Sequence, residues 1–434
     1  MKNTLRKKAL IGVLLAALFP GMNFAQQTFA SAWNGNNPVT EELTDGIELQ
    51  FDSTQKPAEE KKKHWYEVIN LRGYTQIRYN RLLETNPKLK CDQCDKSWGD
   101  KNSFFIRRAR LVFSGNIGDH LSIYIQPDLA SSPSSTQLHF MQMRDAYFDY
   151  FVDKNKEFRF RFGQSKIPYG FENLQSSQNR LPMDRADGMN SAIANERDLG
   201  ATFYYTPKKI RDRFKGLVDE GYKGSGDYGI FALGAYNGQT ANKPELNNNL
   251  HAVGRLNYPF AIGSQVIEPG VQAYSGFYTM ASDQLTAGTK THIDKGYLDQ
   301  RAAASLVLYP KPFGILAEYN IGKGPEYNPQ TDSVEVQELT GGMVTISYMI
   351  KLPKCKQTII PFARGHYYDG GKKQELDARA YKVNEVEFGV EYQIFKYMEL
   401  TAMYTMSERT TWDKASEGNS QKGNLLRLQL QFNY

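Results

Sequence analysis

The chain has 434 residues, of which 40% are hydrophobic, 23% charged and 13% aromatic, with only 3 cysteines. That aromatic content and a formal net charge of +6 exclude a disordered chain, and the cysteine count excludes a disulfide scaffold. The mean hydropathy is −0.57, and the longest apolar run falls well short of the about 20 residues a spanning helix needs, so a helical membrane protein is excluded too.

Residues 1–25 read as an export signal. Lys2, Arg6, Lys7 and Lys8 precede the apolar stretch Ala9 to Phe19, Pro20-Gly21 breaks it, and Asn23-Phe24-Ala25 supplies a cleavage site, with Ala30 and Ala32 as alternatives. Without the four signal cations the chain holds 49 basic against 47 acidic residues, a net charge of +2, so any charge selectivity must come from where charges sit. Residues 26–64 are polar and irregular. Their run Glu59-Glu60-Lys61-Lys62-Lys63 reads as a flexible, solvated lead-in.

From Trp65 onward the texture becomes period two. Leu71, Gly73, Thr75, Ile77 and Tyr79 fall on one face, and Arg72, Tyr74, Gln76 and Arg78 on the other; Phe158, Phe160 and Phe162 alternate with Arg159 and Arg161; Leu426, Leu428, Leu430 and Phe432 alternate with Arg427, Gln429 and Gln431. Sixteen such segments are predicted: 70–81, 103–115, 119–129, 140–152, 157–165, 198–206, 227–237, 249–259, 266–279, 296–309, 312–322, 335–351, 357–368, 380–394, 397–408 and 423–434. Many are long enough to cross a bilayer as tilted strands.

The connections alternate in length. With the first strand running outward, the inner connections are short, except a basic stretch 207–226 that marks either a miscounted strand or a real inner extension. The outer ones, 82–102, 166–197, 280–295, 323–334 and 409–422 among them, are longer and polar. An even strand count with this asymmetry predicts an all-β fold, a transmembrane antiparallel barrel of about sixteen strands over residues 65–434. The polar face carries charges that a dry core could not hold unpaired, including Arg72, Arg78, Arg108, Arg110, Arg159, Arg161 and Arg427. It therefore lines water, and the apolar face meets outer-membrane lipid.

Three segments resemble the phosphate-selective porin O and P family: Phe104-Phe105-Ile106-Arg107-Arg108-Ala109-Arg110-Leu111, Arg144-Asp145-Ala146-Tyr147-Phe148-Asp149-Tyr150, and Arg161-Phe162-Gly163-Gln164-Ser165-Lys166-Ile167-Pro168-Tyr169-Gly170-Phe171-Glu172. Asn195-Glu196-Arg197-Asp198-Leu199-Gly200 fits the strand that follows the long third loop. The motif-bearing match covers about residues 103–206. The resemblance implies a sixteen-stranded outer-membrane barrel, usually a homotrimer, passing small anions through a pore narrowed by that loop. It assigns Arg107, Arg108 and Arg110 to the anion path and places Asp145 and Lys166 near the constriction. Alternation puts Arg108 and Arg110 on one face and turns Arg107 away or to the rim.

Strand sixteen must neighbour strand one when a barrel closes, so Arg427, Arg72, Arg78, Arg108 and Arg110 are expected to form one basic arc. Glu385, Glu387 and Glu391 supply an acidic patch on strand fourteen. Such an arrangement focuses a transverse field on a passing ion, and paired guanidinium forks suit oxyanions such as phosphate. The loop alone balances Lys166, Arg180, Arg185 and Arg197 against Glu172, Asp184, Asp187 and Glu196.

Cys91 and Cys94 have CxxC spacing on an outer loop of an exported chain, which favours a local disulfide over zinc; Cys355 is left unpaired in an inner turn. No catalytic constellation, metal site, cofactor or nucleic-acid motif emerges. The reading is an outer-membrane porin for small anions. The alternatives are a general or cation-preferring pore, a barrel enzyme and a surface adhesin.

Overall fold

The computed structural model describes residues 65–91, 98–131 and 138–434. The predicted export signal, the lead-in up to His64 and Cys94 lie outside the described residues. The described chain is sixteen antiparallel strands: β1 Asn70–Leu82, β2 Phe104–Ile117, β3 Leu121–Ser131, β4 His139–Phe151, β5 Phe158–Lys166, β6 Arg197–Tyr205, β7 Phe231–Tyr236 and β8 His251–Asn257, which resumes at Phe260–Ile262. Then follow β9 Gln265–Thr279, β10 Gly296–Leu308, β11 Phe313–Asn328, β12 Ser333–Tyr348 (resuming at Ile350–Leu352), β13 Gln357–Gly371, β14 Ala380–Phe395, β15 Met398–Asp413 and β16 Ser416–Asn433. All sixteen predicted segments are strands.

Each strand pairs with its sequence neighbour, and β1 pairs with both β2 and β16 through Tyr74↔Arg110 and Tyr74↔Asn433. The sheet is therefore closed, which removes the exposed edge that lipid could not hydrate.

Burial is inverted relative to a soluble protein. Val271 and Leu256 are more than half exposed on the outer surface, while Arg78, Glu387 and Arg427 are 1%, 0% and 0% exposed inside. This inversion settles which face meets water: the apolar set faces lipid because the polar set needs partners and solvent. At the short-turn end the outward aromatics form a girdle, with Phe158 on Tyr205 at 4.9 Å, Tyr258 on Phe260 at 4.6 Å and Phe395 on Tyr397 at 5.5 Å.

Two predicted outer loops are not loops. Residues 323–334 and 409–422 continue their hairpins, with pairs such as Lys323↔Glu338 and Pro325↔Val336 running to a tight turn at Asn328↔Ser333, and Asp413↔Ser416 closing the other. Beyond the bilayer no face meets lipid, so outward positions such as Lys323 and Glu338 are polar and the apolar–polar alternation is lost, although the ladder persists and Tyr327 and Val334 stay buried. The inner stretch 207–226 is an extension, not a strand: it contains a helix, Lys208–Asp219, with Ile210, Phe214 and Leu217 buried. Elsewhere inner turns are tight. Gly118 and Gly263 have φ of 65° and 59° with open space where a Cβ would point, so the dihedral rather than packing requires glycine there.

Candidate functional site

The third outer loop, residues 167–196, folds into the barrel instead of projecting from it. Its apolar side chains Ile167, Tyr169, Met189 and Ile193 pack with Tyr236, Val253 and Tyr274 of the wall. Two short helices, α1 Phe171–Leu174 and α2 Asp187–Asn190, carry its polar anchors. Glu318 on β11 accepts the backbone N–H groups of Phe171 and Glu172 at 2.5 and 2.8 Å. Glu172 pairs with Arg364 of β13 at 2.8 Å, and Asp187 with Lys372 at 2.6 Å and Arg409 of β15 at 2.9 Å. Gly188 lies against Gly341 of β12, where a Cβ on Gly341 would come within 2.8 Å of the Gly188 backbone. That approach requires glycine at 341, and a Cβ on Gly188 would crowd the same backbone at 3.1 Å.

These anchors lay the loop along β10–β15, and its other edge faces β16, β1, β2 and β4. Arg78 donates to Asp184 at 3.1 Å and to the Met183 carbonyl at 2.7 Å; Arg427 reaches the same Asp184 and also Glu387 at 3.3 Å. Arg110 pairs with Asp128 of β3 at 2.9 Å, and Arg144 reaches Glu196 at 3.2 Å. Arg197 grips Asp145 at 2.9 Å and Glu196 at 2.9 Å.

Two β-bulges put more cations here than alternation allows. The β1–β2 register jumps from Gln76↔Arg108 to Ile77↔Ile106, so Arg107 is the extra residue. Its guanidinium turns inward beside Arg108 instead of away, with Nε buried and unpartnered, and its charge acts on Asp184. This corrects the orientation expected from strict alternation; an extra residue breaks the period of two and re-aims a side chain. A second jump, from Gln126↔Asp145 to Pro127↔Met143, does the same for Arg144. Here the sequence carries a signal: Pro127 cannot donate to the ladder, and a proline inside a strand marks a bulge.

Arg108 donates to Gln76 at 2.9 Å, and its Nε is buried without a partner. Among the described residues neither Arg107 nor Arg108 has a carboxylate in ion-pair contact. Across the loop and the wall strands it touches, thirteen cationic groups (Arg78, Arg107, Arg108, Arg110, Arg144, Lys166, Arg180, Arg185, Arg197, Arg364, Lys372, Arg409, Arg427) meet nine carboxyl groups (Asp128, Asp145, Glu172, Asp184, Asp187, Glu196, Glu318, Glu385, Glu387). The balance within the loop thus becomes a basic surplus once the wall is added. Burial alone would raise the Asp184 carboxyl, but Arg78, Arg427, Arg107 and Arg180 hold it well below its usual range. Glu196 is likewise held down by Arg185, Arg144 and Arg197 against the effect of burial.

The other expected residues fall into different settings. Lys166 donates to the carbonyls of Leu174 and Gln175 at 2.8 and 2.7 Å, so it pins the loop's base. Arg161 makes a two-pronged pair with Asp149 at 2.8 and 2.9 Å, and Arg159 reaches Asp227 at 3.4 Å over the Tyr204 ring. Arg72 is exposed at the inner end of β1, 6.0 Å from the Tyr124 ring, apart from the Arg427–Arg78–Arg108 arc. Each member of the acidic patch is ion-paired: Glu385 with Arg409, Glu387 with Arg364 and Arg427, Glu391 with Lys223. His366 converges with Glu385 and Glu387, but those arginines already compensate the carboxylates a cation would need. Cys91 is buried and disulfide-bonded, and Cys355 is free and exposed.

A closed sixteen-stranded barrel with an apolar outer face, a charged interior and an infolded loop defines an outer-membrane channel. The chain belongs to the phosphate-selective porin O and P family, whose model matches residues 89–434. Among solved structures, the outer membrane channel DcaP of Acinetobacter baumannii superposes with a TM-score of 0.55 at 17% identity, over 84% of this chain and 97% of that one. OmpT of Vibrio cholerae in a trimer form gives 0.49 at 11% identity over 85% and 99%. An anion-selective porin from Comamonas acidovorans gives 0.46 at 9% over 84% and 99%. Curated protein sequences yield no significant match. Family and fold indicate a channel rather than an enzyme.

Proposed function

We propose that this outer-membrane channel passes small anions, with phosphate and other oxyanions as its solutes, by passive diffusion past the third loop. The observation that carries this reading is the pair Arg107 and Arg108, turned into the interior beside Arg78 and Arg110 and, among the described residues, with no carboxylate in ion-pair contact. Uncompensated guanidinium charge in a narrow path lowers the electrostatic barrier for an anion and raises it for a cation. Planar forks match oxyanion geometry better than that of a halide. The acidic patch on β14 supports the cation-preferring alternative poorly, because its carboxylates are all ion-paired. Export by the N-terminal signal and assembly as a homotrimer belong to the same proposal.

The test is a reversal potential across a planar bilayer in a salt gradient, with phosphate added as a competing blocker. An anion-directed potential and a phosphate-dependent fall in chloride current are expected. A cation-directed potential without any phosphate effect overturns the anion reading, and absence of conductance would favour a barrel enzyme or an adhesin.

A further inference from the structure

One inner connection departs from the tight turns around it, and its path is the informative feature. Strands β6 and β7 pair up to Tyr205↔Phe231, so a short turn could join them, yet residues 206–230 intervene. The excess chain is not needed for connectivity. Its helix α3, Lys208–Asp219, is fastened to neighbouring inner turns, Arg211 donating to the Lys156 carbonyl at 2.5 Å and Arg213 to the Pro259 carbonyl. Leu217 packs with Phe171 of the infolded loop and with Val266, Val307 and Tyr309 of the wall.

Beyond the helix the chain leaves that side of the barrel. Tyr222 lies 4.3 Å from the Lys311 ammonium and 4.6 Å from that of Lys351, both measured to its ring centre. Lys223 pairs with Glu391 on β14, and its carbonyl accepts from Gln175 of the infolded loop at 2.7 Å. In a ring of sixteen strands, β14 stands diametrically opposite β6. By Asp227 the chain is back at Arg159 on β5. The segment therefore runs from wall to wall across the inner end of the lumen, in contact with the third loop.

We propose that this crossing, residues 207–230, is a second, inner constriction that sets the size limit of the solutes the channel passes. A compact ion passes beside it, and an elongated polyanion such as linear tripolyphosphate is held back. This inference rests on the channel itself and not on its anion preference. The cation–π contacts at Tyr222 and the buried ion pair at Lys223 hold the far end in place, so those two residues position the constriction.

The full chain with residues 208–228 replaced by an Asn-Gly turn tests it, alongside the double variant Tyr222→Ala with Lys223→Gln. Single-channel conductance should rise at least about two-fold on removal of the crossing, because conductance follows the open cross-section. Tripolyphosphate should then enter liposomes that carry the channel, with the reversal potential unchanged. A folded deletion variant, shown by heat-modifiable gel mobility, with unaltered conductance and size limit overturns the proposal. So does a shifted reversal potential without added conductance, which would mean the segment acts by charge. If the deletion does not fold, the double variant decides: raised conductance supports the constriction, and unchanged conductance overturns it.

Discussion

Replacing Arg107 and Arg108 together by glutamine removes two neighbouring interior guanidinium groups that, among the described residues, have no carboxylate in ion-pair contact. A charge about 5 Å from a passing monovalent ion contributes roughly 3 kcal/mol at an effective dielectric of about 20 and roughly 0.8 kcal/mol in bulk water. A wet, protein-walled lumen lies between; at about 1 kcal/mol per charge the anion's barrier rises and the cation's falls by about 2 kcal/mol each, so the double variant should lower the anion-to-cation permeability ratio by roughly several hundred-fold. The assay is the reversal potential at low ionic strength, where screening is least. Thermal stability should hold, because the substitutions break no ion pair and relieve repulsion among Arg78, Arg107, Arg108 and Arg110. Arg110→Gln supplies the contrast. It strips Asp128 of its 2.9 Å partner and leaves only Arg144 at 3.9 Å, so it should cost roughly 3 kcal/mol of stability. An unchanged permeability ratio in the Arg107/Arg108 variant would refute the reasoning and reduce the basic wall to a structural feature.

Acidification should weaken the loop's charged edge but release it only in strong acid. The Asp184 and Glu196 carboxyls are held below their ordinary values, so their stabilisation is present above about pH 4 to 5 and is lost as pH falls through the depressed folded values. Within the folded channel the depressed carboxyls stay ionised in mild acid, so Asp184 keeps Arg78 and Arg427 covered and anion preference should stay flat from neutral pH down to about pH 3; a rise in anion preference between about pH 5 and pH 3 would contradict this. Cys355, free and exposed in the Leu352–Gln357 turn, tests orientation: a membrane-impermeant maleimide should label it in permeabilised envelopes but not on intact cells. Labelling of intact cells would reverse the assigned inside and outside.

Much of the barrel is legible in the chain because its governing pattern is local. Every bilayer-crossing strand must alternate lipid-facing and water-facing side chains, so the residues of β5 or β16 announce their state without reference to any neighbour. The pattern fades where no face meets lipid and outward positions turn polar, as in the tall hairpins at Asn328–Ser333 and Asp413–Ser416. It also fails where register shifts, as at Arg107 and Arg144. A bulge depends on how two strands pair, and only Pro127 left a trace of one.

The site is less legible than the wall. That Arg78, Arg108, Arg110 and Arg427 share an inner face follows from alternation and closure. Which of them remain without a carboxylate does not, because Asp184 reaches Arg78 and Arg427 from a loop far away in sequence and Asp128 meets Arg110 only through the register of the β2–β3 hairpin. The same holds for Lys166, whose charge reads as pore-lining but whose ammonium is spent on two loop carbonyls.

By itself, then, the sequence determined the class of fold, the strand count, the inward polar face and the family, all of which follow from periodicity and short motifs. The tertiary structure alone decided the charge balance between the infolded loop and the wall and the path of residues 207–230 across the inner mouth. Both depend on contacts between distant segments, whose energies come from burial and pairing and leave no periodic mark on the chain.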